Sequence, residues 1–597
     1  MNGWSTPEKS EFFLRVARHH FGRGRTELYD SVLERHMKHD CFRRVRLIRP
    51  LASAWLAAAC ALATAVAGTG CSSAPRTRAD SARNNAPAVL PTETFDSVWT
   101  MVRDEHYDPA LNGVDWNTVR DELRPKAAQA RSADELRAIL MDMLGRLGQS
   151  HFTIIPAAAA PAPVVAAAAD DGALAKPSVE SGHAGQVDGV LDDDGLDGAV
   201  KDPAKAPGAA LAAAGPGTAG LDIAMVEGVP TVLRVVPGLP ASRAGILVGW
   251  RVVAVDGARA DDMLAPVRSA LADAERDEES RDSPRLRQLR ASLAFAGSEL
   301  VTGAAGATRE IVFADASGGE HAVTLAFEPT ALGSTKFGHL PPFPIEVDTR
   351  VIELPADPAS GGGKPVRIGV IAFNIWMVGA SEAIDRAVDS MRSCDGIVLD
   401  LRGNPGGMGA MSMGIAGHFL REPASLGSML GRDNTLEFQA VPRKVSTEGK
   451  RVRPYATKPL AILMDGRSAS TSEVFAGGLQ DLGRARVFGE PSAGMALPSQ
   501  AKELPNGDVL LHAVADFVTS KGTRLEGRGV IPDEYVLPTR AELSRGEDPA
   551  LAAASRWIRG SALAARAGKP NAPLGDLGSM PATMPLAMPP ATVEPRK

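Results

Sequence analysis

Cysteine is scarce. The chain of 597 residues holds four, and three of them (Cys41, Cys60 and Cys71) fall in or beside an N-terminal segment built like a targeting signal. Only Cys394 remains for the folded body. That excludes an intrachain disulfide there, and no cysteine cluster has zinc-ligand spacing, so no metal site is expected. Long basic stretches are missing beyond the N-terminus, and the formal net charge is −6. Both argue against nucleic acid as the main partner. The N-terminal apolar run, Leu51 to Val66, is a little short for a membrane span. Hydrophobic residues are present in ordinary measure, 44 % of the chain. This is enough to bury a sizeable core, and the length allows about three or four domains.

The N-terminus has the layout of an export signal. Arg43-Arg44-Val45-Arg46-Leu47-Ile48-Arg49 is a basic region, Leu51–Val66 an Ala-rich apolar one, and Gly68-Thr69-Gly70-Cys71-Ser72-Ser73 a small-residue cleavage zone. It resembles a bacterial lipoprotein signal with Cys71 as the lipidated residue, which implies an exported, membrane-tethered protein. It departs from that pattern at Gly68, where such signals usually carry Leu. The alternatives are a plain anchor or a non-lipidated signal. Met37 stands directly before the basic region and is the expected start of translation, leaving 1–36 as a start-site extension and 37–71 as the signal.

Residues 72–90 are a polar, Pro/Ala-rich tether. Residues 91–156 form an N-terminal helical region. Phe95, Val98, Trp99 and Val102 fall at helical spacing, as do Leu136, Ile139, Leu140, Met143, Leu144 and Leu147. Ser132-Ala133-Asp134-Glu135 is a capping box ahead of the second run. Residues 157–215 are Ala, Pro, Gly and Asp with hardly an aromatic, too poor in apolar surface to offset the entropy of ordering, and are expected to be disordered. Residues 216–330 are expected to be β-rich, with a strand at 231–236, a turn and short helix at 237–246, a turn, strand and turn at 249–257, strands near 310–313 and 322–327, and a charged helical interruption near 260–300. Residues 345–540 alternate strands (Arg367–Phe373, Gly396–Leu401, Pro459–Met464, Arg486–Glu490) with helices (Ser381–Arg392, Met411–Leu420, Ser472–Leu482), a pattern that predicts an α/β layer architecture. A C-terminal helix and a disordered tail are expected over 541–597.

Three segments suggest chemistry. Asp400-Leu401-Arg402-Gly403-Asn404-Pro405-Gly406-Gly407 follows an apolar strand and precedes a helix. Paired glycines there let backbone amides approach a ligand, and amides at a helix N-terminus suit an oxyanion. Ser468-Ala469-Ser470-Thr471-Ser472-Glu473 also follows an apolar strand. A serine at a strand-to-helix turn is presented as a nucleophile elbow presents it, although a Ser-rich turn by itself is more often only a helix cap. Leu525-Glu526-Gly527-Arg528-Gly529-Val530-Ile531-Pro532-Asp533 is, alone, a turn with a charge.

Together and in this order, with Asp481-Leu482-Gly483-Arg484-Ala485 and Gly489-Glu490-Pro491-Ser492, these segments resemble the catalytic core of the carboxyl-terminal-processing (tail-specific) serine protease family. Residues 231–257 are similar to the PDZ pattern of circularly permuted bacterial proteases. The resemblance covers most of 90–540. It implies a multidomain α/β fold with a ClpP/crotonase-like catalytic core, an N-terminal helical region and a β-rich PDZ-like domain. It implies Ser470 as nucleophile and an oxyanion hole from amides of Gly406, Gly407 and Thr471. In one branch of the family a lysine 25 residues after the nucleophile is the base; here that position is Met495, whose thioether cannot take the proton. The other branch resembles the tricorn core protease, and its pattern implies His151 as base, Glu526 as the carboxylate that orients it, and Ser150 beside them. An imidazole suits the task because it titrates near neutrality and can carry a proton both ways. Gln149 and Phe152 stand where many relatives have Asp and Thr. His418 and His512 are expected to be structural, as is an Asp400–Arg402 ion pair, while Trp376 and Asn374 fit either the cleft or the core. Gly220, Leu221 and Ile223 are the PDZ-like peptide-binding positions, with Asp222 an awkward neighbour for a terminal carboxylate.

The expected function is that of an exported serine endopeptidase acting on polypeptides through an acyl-enzyme, without cofactor or metal. The competing expectation is a catalytically inactive peptide-binding envelope protein, since Met495 is the kind of replacement a pseudoprotease shows; an envelope scaffold for another hydrolase is a third.

Overall fold

The computed structural model describes residues 90–156, 216–277, 283–330, 333–335, 342–355 and 364–567. The start-site extension, the signal with Cys71, nearly all of the tether, the 157–215 insertion and the tail after 567 lie outside the described residues.

The described residues open with the helices α1 (Pro91–Glu105), α2 (Trp116–Ala127) and α3 (Ala133–Gly145). Pro at the first turn starts α1; Asp115 and Ser132 cap α2 and α3, the latter through the expected bond from Glu135 N to Ser132 Oγ at 3.1 Å. Their apolar stripes meet in one cluster containing Phe95, Val98, Leu123, Leu140 and Leu144, and the Trp99 and Trp116 indoles each donate to the other residue's carbonyl. β1 (Thr153–Ile155) follows and pairs antiparallel with β15 below, Thr153 opposite Leu511.

Residues 216–330 form a β-rich module. β2 (Leu221–Val226), β3 (Val229–Val235), β4 (Arg251–Val255), β5 (Thr308–Ala314) and β6 (Glu320–Ala326) make an antiparallel sheet in chain order. The interruption is two helices rather than one stretch, α4 (Ala260–Asp277) and α5 (Pro284–Glu299). The end of α5 lies against β2, where a Cβ on Gly297 would strike Met225. Ala296 and Leu300 join Ile223, Val232 and Phe313 in the module's core.

The third layer is a six-stranded sheet of β7 (Val347–Leu354), β8 (Val366–Phe373), β9 (Gly396–Asp400), β12 (Leu460–Met464), β13 (Arg486–Gly489) and β17 (Glu534–Tyr535), in that spatial order. β7 is antiparallel to β8 and every other pairing is parallel, with Ile368 opposite Gly396, Ile397 opposite Leu460, and Ala461 opposite Arg486. A parallel sheet must be covered on both faces. One face is covered by α6 (Val378–Ser390), α7 (Ala410–Ala416) and α8 (Thr471–Asp481). The other is covered by α9 (Pro549–Arg566), whose Ala550, Ala553, Ala554 and Ile558 pack on Ile368, Val398, Ala461 and Phe488. The packed core therefore runs to 566, beyond the boundary at 540 read from the sequence. α7 is shorter than expected, ending at Ala416, and Gly417 follows where a Cβ would strike the Val441 carbonyl. Other strands are β10 (Ala424–Gly431), β11 (Thr435–Ala440), β14 (Ser499–Glu503), β15 (Val509–Ala513) and β16 (Ala515–Thr519), forming the sheets β11-β10-β16 and β1-β15-β14. The second of these joins the N-terminal helices to the rest. Arg137 of α3 pairs with the buried Asp508 carboxylate at 2.9 Å through both nitrogens, and Leu497, Leu504 and Leu510 enter the helices' apolar cluster. No helix among the described residues is long and apolar enough to cross a membrane.

Candidate active site

Ser470 sits between β12 and α8, at φ 53° and ψ −117°. A non-glycine residue at positive φ is uncommon and strained, and such strain gathers at functional positions. Among the described residues six non-glycine residues have positive φ, and Ser470 and His151 are two of them. The turn requires glycine opposite: a Cβ on Gly406 would come within 2.6 Å of Ser470 Cβ and 2.9 Å of the Thr471 nitrogen.

That close approach also decides between the paired glycines. The Gly406 amide donates to Asn404 Oδ1 at 3.0 Å and is used within its own turn, so Gly406 does not supply the expected oxyanion donor. Gly407, at φ 138°, has no hydrogen-bond acceptor for its amide among the described residues, and its carbonyl accepts from Thr471 Oγ1 at 2.8 Å. Thr471 is the first residue of α8, so its amide is one of the N–H groups a helix start leaves unpaired. The Gly407 and Thr471 amides thus remain beside Ser470 to meet an oxyanion.

His151 and Glu526 are 375 positions apart in sequence, and the β1–β15 pairing brings them together. Glu526 makes no hydrogen bond to the imidazole itself. Ser150 stands between them. Its Oγ donates to Glu526 Oε2 at 2.8 Å and lies 2.8 Å from His151 Nδ1, while Ser150 N donates to Glu526 Oε1 at 2.9 Å. A hydroxyl has one proton. With that proton on the carboxylate, its lone pair accepts Nδ1–H, which leaves the Nε2 lone pair of His151 free to act as base. Burial pushes His151 down to about 4 and raises Glu526 against three donors, from Ser150 N, Ser150 Oγ and Ala496 N. The imidazole is neutral at pH 7, further from neutrality than the sequence argument assumed but in the state a base needs. No hydrogen bond joins His151 to Ser470 in this structure. Both flank Met495: Ser470 N donates to the Met495 carbonyl at 2.9 Å, and Met495 lines with His151 a small cavity to which Gln288 and Ser292 of α5 also contribute.

The Met495 side chain is 8 % exposed and packs with Ala291, Ala469, Ala493 and Phe295, an apolar role with no acid–base content. Gln149 bonds His106 Nε2 at 2.9 Å and the Tyr107 hydroxyl at 2.7 Å, and Phe152 is buried against His106; both anchor the segment that carries Ser150 and His151. His418 pairs with Asp385 at 2.8 Å, and His512 lies against Gln500 and Glu105, both away from Ser470. Arg402 pairs with Asp400 and Asp548. Trp376 is fully buried with its Nε1 donating to Ser472 Oγ and belongs to the core, whereas Asn374 is half-buried and bonds the backbone at 344 and 346. Among the described residues no cluster of His, Cys, Asp or Glu could hold a metal ion.

The PDZ-like positions are partly occupied. Gly220 is at φ 75° and Leu221 pairs with Val235, but the Ile223 side chain is in the core and its carbonyl accepts from Arg467 at 2.8 Å. Arg467, three residues before Ser470, also pairs with Asp222 at 2.6 Å and Asp465 at 2.7 Å. Burial works against this guanidinium, and the two carboxylates outweigh it, holding it charged. The edge of β2 that a peptide would extend at Ile223 is therefore taken by Arg467. Asp222, awkward on sequence grounds, has its partner here. Sequence reasoning missed Arg467 and Glu473; the i+3 spacing of Ser470 and Glu473 was the one available signal.

Residues 367–536 match the peptidase family S41 and residues 90–145 the tricorn protease C1 domain. The chain is similar to a carboxyl-terminal-processing protease of Picosynechococcus sp., 31 % identical over 172 residues that make up 28 % of this chain and 39 % of the relative. It is also similar to the chloroplastic carboxyl-terminal-processing peptidase 2 of Arabidopsis thaliana, 28 % identical over 305 residues, 51 % and 48 % of the two chains. The chain thus spans about two-fifths to half the length of these curated relatives. Among solved structures it is similar to a photosystem II D1 C-terminal processing protease, with 21 % identity, a TM-score of 0.43, and 78 % of this chain and 99 % of that one covered. The stretch that matches peptidase family S41 carries Ser470 and Glu526, and the stretch that matches the tricorn protease C1 domain ends just before His151.

Proposed function

We propose that this chain is an exported serine endopeptidase that hydrolyses polypeptides by a Ser/His/Glu mechanism with Ser150 as the link. Ser470 Oγ attacks the scissile carbonyl as its proton passes to His151 Nε2. The Gly407 and Thr471 amides stabilise the resulting oxyanion, in a water-poor site where fixed dipoles act strongly. The C–N bond breaks as His151 returns the proton to the amine, leaving an ester on Ser470. Water then repeats the cycle: His151 takes its proton, the ester breaks, and Ser470 regains its hydrogen. The observation that carries this reading is the Glu526–Ser150–His151 chain with both links at 2.8 Å, beside the residue to which Ser470 is bonded. Replacement of the dyad lysine by Met495 is then a change of base rather than a loss of one.

The β-rich module fits a PDZ-like part that receives the substrate chain, and a peptide adding to β2 has to displace Arg467 from Ile223. The basic and apolar segments before Cys71 support delivery to the cell envelope with a lipid anchor, which incorporation of labelled palmitate into wild type but not Cys71→Ala tests. For the activity, the purified chain is incubated with unstructured protein beside Ser470→Ala and His151→Ala. Cleavage by wild type alone supports the mechanism. A wild type as inert as Ser470→Ala across varied substrates transfers the case to a peptide-binding protein without catalysis.

A further inference from the structure

A second buried carboxylate touches the nucleophile turn, and the mechanism above does not use it. Glu473 is fully buried, three residues after Ser470. Its Oε2 accepts from Ser470 N at 2.9 Å and Met495 N at 3.0 Å; its Oε1 accepts from Ser492 Oγ at 2.5 Å and Gly494 N at 2.8 Å. A capping-box glutamate needs only the first of these bonds and is at home on a surface. The other three come from a segment outside the helix. One residue further on, Ala496 N donates to Glu526 Oε2 at 2.9 Å.

Three consecutive amides, at 494, 495 and 496, are thus divided between two carboxylates. One carboxylate holds the backbone of the nucleophile; the other holds Ser150 and, through it, the base. Consecutive Cα atoms are about 3.8 Å apart across a trans peptide whatever the side chains, so the segment between the carboxylates is a covalent spacer. We propose that Glu473 is a positioning residue: with Glu526 it clamps Gly494–Ala496, and this clamp sets the separation of the Ser470 hydroxyl from the His151 imidazole. The proposal rests on the assignment of Ser470 and His151 made above. It also explains how position 495 can lose the lysine of the other branch and still serve, since here the backbone of Met495 does the work and its side chain only packs. Burial, with Glu526 nearby, raises Glu473 to about 7 against the bonds from Ser492, Gly494 and Ser470, and helix capping alone gives no reason to bury this carboxyl group.

The test uses a fluorophosphonate, which phosphorylates an activated serine with loss of fluoride and needs no substrate recognition. Labelling rates are measured for the full chain, Glu473→Gln and Ser492→Ala, with thermal melting as a control for folding and kcat and KM on a peptide substrate. Glutamine turns an NH2 toward amides that need acceptors, and a displacement of about 1 Å costs on the order of 100-fold in rate. The expected result is labelling and kcat down about 100-fold in Glu473→Gln with KM within about twofold, and a smaller fall in Ser492→Ala, which removes one donor and leaves three. Labelling of Glu473→Gln within about threefold of wild type overturns the positioning role and leaves the peptidase reading intact. If Glu473→Gln does not fold, Ser492→Ala decides, and an unchanged rate there overturns it. A wild type that is not labelled at Ser470 overturns both.

Discussion

Replacing Ser150 with alanine removes one oxygen and breaks both links of the chain from Glu526 to His151. The 2.8 Å bond to Glu526 is charge-assisted, of a kind worth about 1.5–3 kcal/mol. The 2.8 Å contact with His151 Nδ1 is a neutral bond in the resting enzyme and becomes charge-assisted when the imidazolium forms. Only the part that grows on the way to the transition state lowers the barrier. Taking that part as about 1.5–3 kcal/mol, and about 1.4 kcal/mol per factor of ten, kcat should fall on the order of 10- to 100-fold. KM should stay near its wild-type value, because Ser150 is 5 % exposed and sits behind the imidazole. The fall should be shallower than in His151→Ala, which deletes the base itself. The assay is steady-state hydrolysis of a fluorogenic peptide by Ser150→Ala, His151→Ala and wild type, with thermal melting alongside. Stability should drop as well, by about 1–3 kcal/mol, since Glu526 keeps the Ser150 and Ala496 amides but loses the hydroxyl. A variant with lowered stability but kcat within about threefold of wild type refutes the relay and makes Ser150 a structural residue only.

The pH profile of kcat/KM should show two steps on its acid side. The first is near 7, where Glu473, raised by burial, gains a proton and loses acceptor capacity for its four donors; the second is near 4, where His151, lowered by burial, is protonated and ceases to be a base. Glu473→Gln should retain only the lower step, and a single wild-type step near 6.5, the ordinary imidazole value, contradicts the burial argument. The two groups act oppositely on stability. His151 is depressed, so its contribution falls as pH drops from about 6.5 toward about 4; Glu473 is raised, so its contribution falls as pH climbs from about 4.5 toward about 7. Asp222→Ala should cost about 1–3 kcal/mol by calorimetry, less than the 3–5 kcal/mol of a broken buried pair because Asp465 still faces Arg467 and Asp222 is 23 % exposed. Met495→Leu keeps volume and polarity, so it should melt within about 1.5 kcal/mol of wild type and keep its kcat; a collapse in kcat with folding intact assigns the thioether a role that its apolar surroundings do not suggest.

Much of the site was legible in local pattern. Ser470 follows the apolar run Leu460–Met464 and opens a helix, and the glycine turn at 403–407 follows the apolar run 396–399. A buried parallel strand must be apolar on both faces, so such runs and the turns that end them stand out. The helical spacing of 91–147 is visible for a similar reason, since one face of each helix is apolar. The C-terminal helix Pro549–Arg566 was seen as a helix but not as the cover of one sheet face, because its Ala-rich face matches a sheet surface about 60 to 190 residues upstream. The division of 260–300 into α4 and α5 was missed because no change in apolar periodicity marks it.

By itself the sequence determined which residue types stand at which turns: a serine with no lysine 25 positions on, a Ser-His pair after a helix, and a glutamate before a Gly-Pro run. Tertiary structure decided what each does. Pairing of Thr153 with Leu511 brings the imidazole to the carboxylate and puts a hydroxyl between them. The Asn404 side chain takes the Gly406 amide and leaves that of Gly407. Arg467 reaches out of the nucleophile turn to Asp222 and Ile223, and Glu473 and Glu526 share the amides of one short segment. The physical reason is common to all of these. An amide, a hydroxyl or a carboxylate has a fixed number of hydrogen bonds to give or accept, and which remain for a substrate depends on partners that only long-range packing supplies.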